Sequence, residues 1–308
     1  MTTNFSQKLI KISVQLVPNP TTNQPGTFNE SGTDTVTLEG SRMSVQINNS
    51  GSLNSSEMTA KVYGLTPSLM NQMSTLGQVF NLLPRNKITI SAGDNINGLS
   101  AVFTGIVQAA YGDFNAAPDV PFYFNGNAGL GDSTAPAVPT SYSGSTDVAT
   151  IMAGFAKQMN IGFENSGVSV QLSNPYFPGN VWQQVQSCAR AAGINADRIT
   201  VGGVSGEVLA IWPKGRSRST PSMQLISKST GMIGYPSYTQ QGIKVDTVFN
   251  PQLARGQMVK IESSLFRASG TWTVYKLDHM LETLVPKGQW KSSLYCYNPN
   301  FPAPIPPA

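Results

Sequence analysis

The stretch Leu9-Ile10-Lys11-Ile12-Ser13-Val14-Gln15-Leu16-Val17 alternates without a break, placing Ile10, Ile12, Val14 and Leu16 on one face and Lys11, Ser13 and Gln15 on the other. A side-chain period of two is the period of a pleated strand, so these residues predict a strand with one face buried and one wet. The same alternation recurs at Met43, Val45, Ile47, at Met58, Ala60, Val62, at Ile88, Ile90, Ala92 and at Phe103, Gly105, Val107, Ala109. Repeated short strands separated by Gly, Asn and Ser turns predict an antiparallel barrel or sandwich. One helix interrupts them: Thr66 is placed to cap it, Pro67 takes its first position, Leu69, Met70 and Met73 share a face, and Gly77 follows.

Outward from that region, residues 116–144 are rich in Gly, Pro, Ser and Asn, with strand character only at Val120–Phe124. They predict a boundary or long loop. The period then changes. Ser145 or Thr146 is expected to cap a helix carrying Asp147 in its first turn, with Val148, Ile151, Met152, Phe155 and Met159 at helical spacing. A second helix is expected from Val181, opened by Asn180 and closed by Gly193, with Val181, Val185, Cys188 and Ala192 on its stripe. Strands at Val168–Leu172, Ile199–Val201 and Val208–Trp212 would complete a small α/β unit. Beyond Pro213, strand patterns return at Met223–Ile226, Ile243–Val248, Met258–Ile261, Trp272–Leu277 and Leu294–Tyr297. The predicted class is mainly β (β+α), with two antiparallel barrel domains around a small α/β domain.

The corresponding domains are 1–124, a barrel with one short helix; 125–144, a Gly/Pro-rich linker; 145–213, the α/β unit; 214–298, the second barrel; and 299–308, a tail with five prolines in ten residues. That tail is expected to be extended and polyproline-like.

Charged residues make up 12% of the chain, about half the usual share. Polar uncharged residues take their place, a balance common in secreted β proteins and in virion parts largely covered by neighbours. No apolar run approaches the roughly 20 residues that span a bilayer, and Met1–Ser6 lacks the features of a secretory leader. A chain folded in a cytosol keeps Cys188 and Cys296 as buried thiols. The net charge of +4 is unevenly distributed, because residues 214–308 hold eleven basic and four acidic groups. Such a segment is either a solvated face or the complement of an acidic partner or nucleic acid.

Chemistry is sparse. The single histidine, His279, follows Asp278 in an alternating strand, so the two side chains point to opposite faces and cannot act as base and orienter. No spacing of His, Cys, Asp or Glu matches a metal site, and no catalytic, metal or cofactor residue is expected. The glycines at 126, 129 and 131 are followed by Pro136 and Pro139 where a dinucleotide site needs a helix. Gly202, Gly203 and Gly206 read as a hairpin turn between strands. The one candidate contact set is Lys214, Arg216 and Arg218, beside Trp212; three cations there would meet phosphates, an acidic partner surface or solvent.

The segment Gly231–Ser263, G-M-I-G-Y-P-S-Y-T-Q-Q-G-I-K-V-D-T-V-F-N-P-Q-L-A-R-G-Q-M-V-K-I-E-S, resembles the late region of baseplate hub proteins from Mu-like and related contractile phages. In those proteins G-x-I-G-x-P precedes G-I-x-V and then F-N-P-x-L-x-x-G. Residues Arg267–Met280, ending in W-T-V-Y-K-L-D-H before Met280, are similar to the family's closing strand. The resemblance implies two tube-protein-like barrels per chain, a homotrimer matching a hexameric tail tube to a trimeric central spike, and a channel through which phage DNA passes. It further implies contacts with other baseplate proteins such as the wedge, a place in the virion baseplate after assembly in the host cytoplasm, and a structural rather than enzymatic role. A carbohydrate- or receptor-binding tail protein and a cell-wall hydrolase are the alternative classes.

Overall fold

The alternation at residues 9–17 becomes strand β1 (Lys8–Gln15), in which Ile10, Ile12 and Val14 are buried. The computed structural model describes residues 6–17, 26–28, 32–50, 56–75, 86–201, 206–219 and 222–298. Gly77, Gly202, Gly203 and the proline tail lie outside them.

The first region continues with β2 (Thr35–Leu38), β3 (Met43–Asn49), β4 (Glu57–Tyr63), helix α1 (Pro67–Met73), β5 (Lys87–Asp94), β6 (Gly98–Gly112) and β7 (Pro121–Asn127). Helix α1 starts as its sequence dictates: Thr66 Oγ1 accepts from the Leu69 N–H, Pro67 stands at the first position, and Met70 and Met73 are buried. Between Val107 and Ala109 a bulge shifts the register of β6 against β7, so Ala110, not Ala109, turns into the core.

The stretch expected to be a linker holds regular structure. Asn125–Asn127 still pair with β4 and β6, and Gly126 is buried where a Cβ would press on Met58 at 3.0 Å. That glycine marks close packing in a strand rather than a loop. Next come α2 (Leu130–Thr134), β8 (Thr140–Ser141), β9 (Ser145–Asp147), α3 (Val148–Gln158), β10 (Gly162–Asn165), β11 (Gln171–Ser173), β12 (Tyr176–Phe177), α4 (Val181–Ala192), β13 (Ile194–Val201) and β14 (Gly206–Pro213). Ser145 and Thr146 do not cap α3. They belong to β9, paired with β11, and the Ser145 hydroxyl meets Gln171 instead. Helix α4 has the predicted ends, a reciprocal Asn180–Gln183 capping box and Gly193 in the left-handed region at φ 66°. Helices α3 and α4 share a core of Val148, Ile151, Phe155, Trp182, Val185 and Cys188, and the sheet β10-β14-β13 supplies Leu209 and Ile211 to it.

The last region contains β15 (Gln224–Ser227), β16 (Met232–Thr239), β17 (Gly242–Val248), β18 (Met258–Glu262), β19 (Gly270–Thr283) and β20 (Trp290–Tyr297). Strand-rich regions precede and follow the α/β unit along the chain, and their hydrogen bonding is shared. They form one 13-stranded sheet in the order β16-β17-β20-β19-β3-β4-β7-β6-β5-β1-β2, with β18 on β19 and β15 on β18. The join is β19, whose residues Leu277–Thr283 pair with Met43–Asn49 of β3. Two apolar cores lie along this sheet, one around Ile12, Phe103 and Phe124 and the other around Val245, Trp272 and Leu294.

Gly242 opens β17 at φ 145°, and a Cβ there would run into the Cys296 carbonyl. Gly242→Ala should therefore lose about 2 kcal/mol, measured as a lower urea midpoint. An unchanged midpoint would show that the β17–β20 ladder shifts freely.

Candidate assembly surface

In β17, β19 and β20 the lysines and aspartates lie on the face away from the cores, while Thr247, His279 and Ser292 lie on the core side. In β17 the buried positions are Ile243, Val245 and Thr247, and the intervening Lys244 and Asp246 face outward. Register sets Lys244 opposite Tyr295 and Asp246 opposite Ser293 on β20, while Lys276 and Asp278 of β19 flank the same two residues. A ladder results. Lys291 Nζ reaches Asp246 at 2.9 Å, the Ser293 hydroxyl donates to Asp246 at 2.7 Å, and Lys276 pairs with Asp278 at 3.2 Å. Lys276 Nζ also sits 4.7 Å from the Tyr295 ring centroid, a cation–π contact. Burial acts against the Asp246 carboxylate, but hydrogen bonds from Lys291 and Ser293 and the nearby lysines hold its pKa below the usual value. Desolvation wins at Asp278 and pushes its pKa up. Asp278 and Ser293 are themselves buried, so this is a partly buried polar network whose lysines are ion-paired in place. The sequence carried a signal for it, the period-two Lys-Val-Asp and Lys-Leu-Asp triplets at 244–246 and 276–278.

Asp278 and His279 point to opposite faces. The His279 ring lies on the core side, 2.9 Å from the Ser292 hydroxyl through Nδ1 and edge-on to Phe249 at 5.4 Å. Burial lowers its pKa to about 4. Cys188 and Cys296 are both buried and free, and desolvation raises the Cys188 thiol to about 12. Among the described residues no cluster of three His, Cys, Asp or Glu side chains is arranged to hold a metal ion. Of the glycine run, Gly126 is within β7, while Gly129 and Gly131 lie at the start of the five-residue α2. Gly206 begins β14, which pairs antiparallel with β13.

The three cations singled out by sequence are separated by the fold. Lys214 and Arg216 are exposed on the turn after β14. Arg218 is 8% exposed and grips Glu164 of β10 through two hydrogen bonds, Nε at 2.6 Å and Nη2 at 2.9 Å. Its backbone N–H donates to the Gly256 carbonyl at 2.7 Å, which ties the α/β unit to the last region. Sequence alone did not mark Arg255 and Arg198, whose carboxylate partners lie on other elements. Arg255 binds Asp197 at 2.5 Å, and Arg198 bridges Asp132 and Glu207.

The path of the sheet ends at β16 on one side and β2 on the other. Strand β16 went unpredicted because Gly234 and Pro236 punctuate it, and the structure accommodates them with an irregularity between Ile233 and Ser237. It exposes Ile233 (45%), Tyr235 (72%) and Tyr238 (61%). Among the described residues no helix is long and apolar enough to cross a membrane.

A continuous, mainly antiparallel sheet carrying a small α/β unit defines a chain of the mainly β class. The comparisons relate it to phage tails. The chain belongs to the baseplate hub gp41 family, whose model matches residues 26–284. In fold it is similar to the tail protein from Neisseria meningitidis MC58, with TM-score 0.61, 9% identity, and 94% of this chain and 96% of that one covered. It is likewise similar to the 43 kDa tail protein of prophage MuSo2 from Shewanella oneidensis, with TM-score 0.59, 9% identity and 94% and 98% coverage. A chain of the half-lidded Francisella PdpA–VgrG complex aligns at TM-score 0.52 and 8% identity, covering 99% of this chain and 60% of that one. No curated protein matches by sequence.

Proposed function

We propose that this baseplate hub acts as a trimeric symmetry adapter that joins a hexameric tail tube to a trimeric central spike and surrounds the path of the DNA. The family match over residues 26–284 carries this reading. Two strand-rich regions per chain support it, since three copies would present six related surfaces to a six-fold tube. The role is structural, with no catalytic step, and the protein resides in the virion baseplate. Lys214 and Arg216 are the cations of the candidate set free to meet an acidic neighbour, while Arg218 serves the internal join. Image reconstruction of purified tails, with native mass measurement of the baseplate, should find three copies of this chain. Six copies in an intact baseplate would sink the adapter reading.

A further inference from the structure

The sheet β10-β14-β13 has two unlike faces. Leu209 and Ile211 of β14 enter the core shared with α3 and α4, while Val208, Ala210 and Trp212 turn the other way and join Ile199 of β13 and Ala254 of the last region in a small separate cluster. Register sets Glu164 of β10 and Asp197 of β13 on either side of Ala210, so two carboxylates flank one position on this seam face. Each is held by an arginine from beyond β14. Arg255 Nε reaches Asp197 at 2.5 Å, and Arg218 takes Glu164 through Nε and Nη2. The Arg218 segment is itself fastened to the last region, by its N–H on the Gly256 carbonyl and by the Ser217 hydroxyl 2.8 Å from that of Thr273. Gly256 lies against Trp212, where a Cβ would approach the ring at 3.0 Å.

Such a seam is specific in register but modest in net strength. Buried ion pairs roughly break even against apolar packing, because both charges lose their water. Arg218 Nη1 is buried with no hydrogen-bond partner among the described residues, which adds the cost of its desolvation. A cleft of about 20 Å³, room for one water, remains where Ile199 and Thr200 meet Ala101, Leu253 and Ala254. Parts of a fold joined by few buried apolar contacts open well below the free energy of global unfolding. From two arginines converging on one cross-strand row over a small apolar cluster, we infer that the α/β unit is latched to the last region and opens as a body, with its own core and the 13-stranded sheet intact. Arg198, opposite Leu209 on the other face, holds Asp132 of α2, and a Cβ on Gly131 of that helix would meet Ile106 of β6 at 2.8 Å. That side stays closed as the pivot. The latch goes beyond the hub reading and does not depend on it: a chain built on one continuous sheet gains a movable part.

Thiol labelling of the full chain reads the opening directly, because the native cysteines serve as controls. Cys188 is buried in the helix core of the unit and Cys296 in the core of the last region, so each reports unfolding of its own body. A further thiol is placed on the seam by Ala210→Cys, and independently by Ile199→Cys, both positions being buried in the seam cluster. Under native conditions the seam thiol should react with a maleimide at least about a hundredfold faster than Cys188 or Cys296, and its rate should rise only weakly with urea, because latch opening exposes little surface. Adding Asp197→Asn should speed the seam thiol at least about tenfold, since it removes the charge that Arg255 grips. A seam thiol that reacts no faster than the native pair, with the same steep urea dependence, would mean that the seam parts only on global unfolding and would overturn the latch. Fast labelling that Asp197→Asn leaves unchanged would overturn it too, because the opening would then not separate the arginine pairs. Neither result alters the copy number in the baseplate, which tests the hub reading separately.

Discussion

Replacing Arg218 by alanine should destabilise the folded chain by about 3 kcal/mol, the lower end of the cost of breaking a buried pair. The removed guanidinium is 8% exposed and makes both side-chain bonds to Glu164. Glu164 is left behind at 30% exposure, so water recovers part of its solvation and keeps the loss from the upper end. Lys214→Ala and Arg216→Ala should each stay within about 0.5 kcal/mol, as surface changes do. Urea unfolding of the three single variants checks this. Equal losses at all three positions would mean that the Arg218–Glu164 pair contributes no more than a surface charge. The contrast bears on function, since reversing all three charges would confound unfolding with lost assembly. Tests of the partner surface should change Lys214 and Arg216 only.

Lowering the pH from 6.5 to 4 should remove up to about 3 kcal/mol of stability through His279 alone. Its folded pKa is depressed from 6.5 to about 4 by burial, so the folded chain keeps it neutral while the unfolded chain takes up a proton. The unfolded state therefore binds more protons across that window, and stability falls as pH falls; below about pH 4 this contribution is flat. On its own side of the sheet the ring contacts Ser292 and Phe249, neither of which carries a charge to favour the imidazolium. Asp278, on the opposite face, works the other way, because its raised pKa means that protonation on acidification relieves its desolvation. The carboxylate of Asp246 is depressed, and its loss comes below the usual Asp range. Unfolding curves at pH 7, 6, 5 and 4 for the wild type and His279→Gln should diverge, with the variant less stable at pH 7 yet flatter with pH. Parallel pH profiles would place the acid sensitivity elsewhere.

Much of the fold was legible from local periodicity. The alternation in β1, β3, β4 and β5 has one face in the core, and the Asn180 and Gly193 ends of α4 were readable because capping is decided by adjacent backbone groups. Irregular strands were less legible. Strand β16 is broken by Gly234 and Pro236, whereas β19 was read through Asp278 and His279 as an alternating strand although both are polar and buried. Lys276 reaches one oxygen of Asp278 from the same strand and Ser292 bonds the His279 ring from the neighbouring one, while Asp278 Oδ1 stays buried without a partner among the described residues.

Residue types and spacing in the sequence determined a β-rich chain with a small α/β unit and a resemblance in Gly231–Ser263 that led to the hub family. The tertiary structure decided that the two strand-rich regions share one sheet, since pairing of β3 with β19 joins residues more than two hundred positions apart and leaves no local pattern. It also decided that Arg218 is internal while Lys214 and Arg216 are not. An arginine two residues from another has the same local appearance whether solvent or a carboxylate remote along the chain receives it, and only the folded positions of Glu164 and Gly256 distinguish the cases.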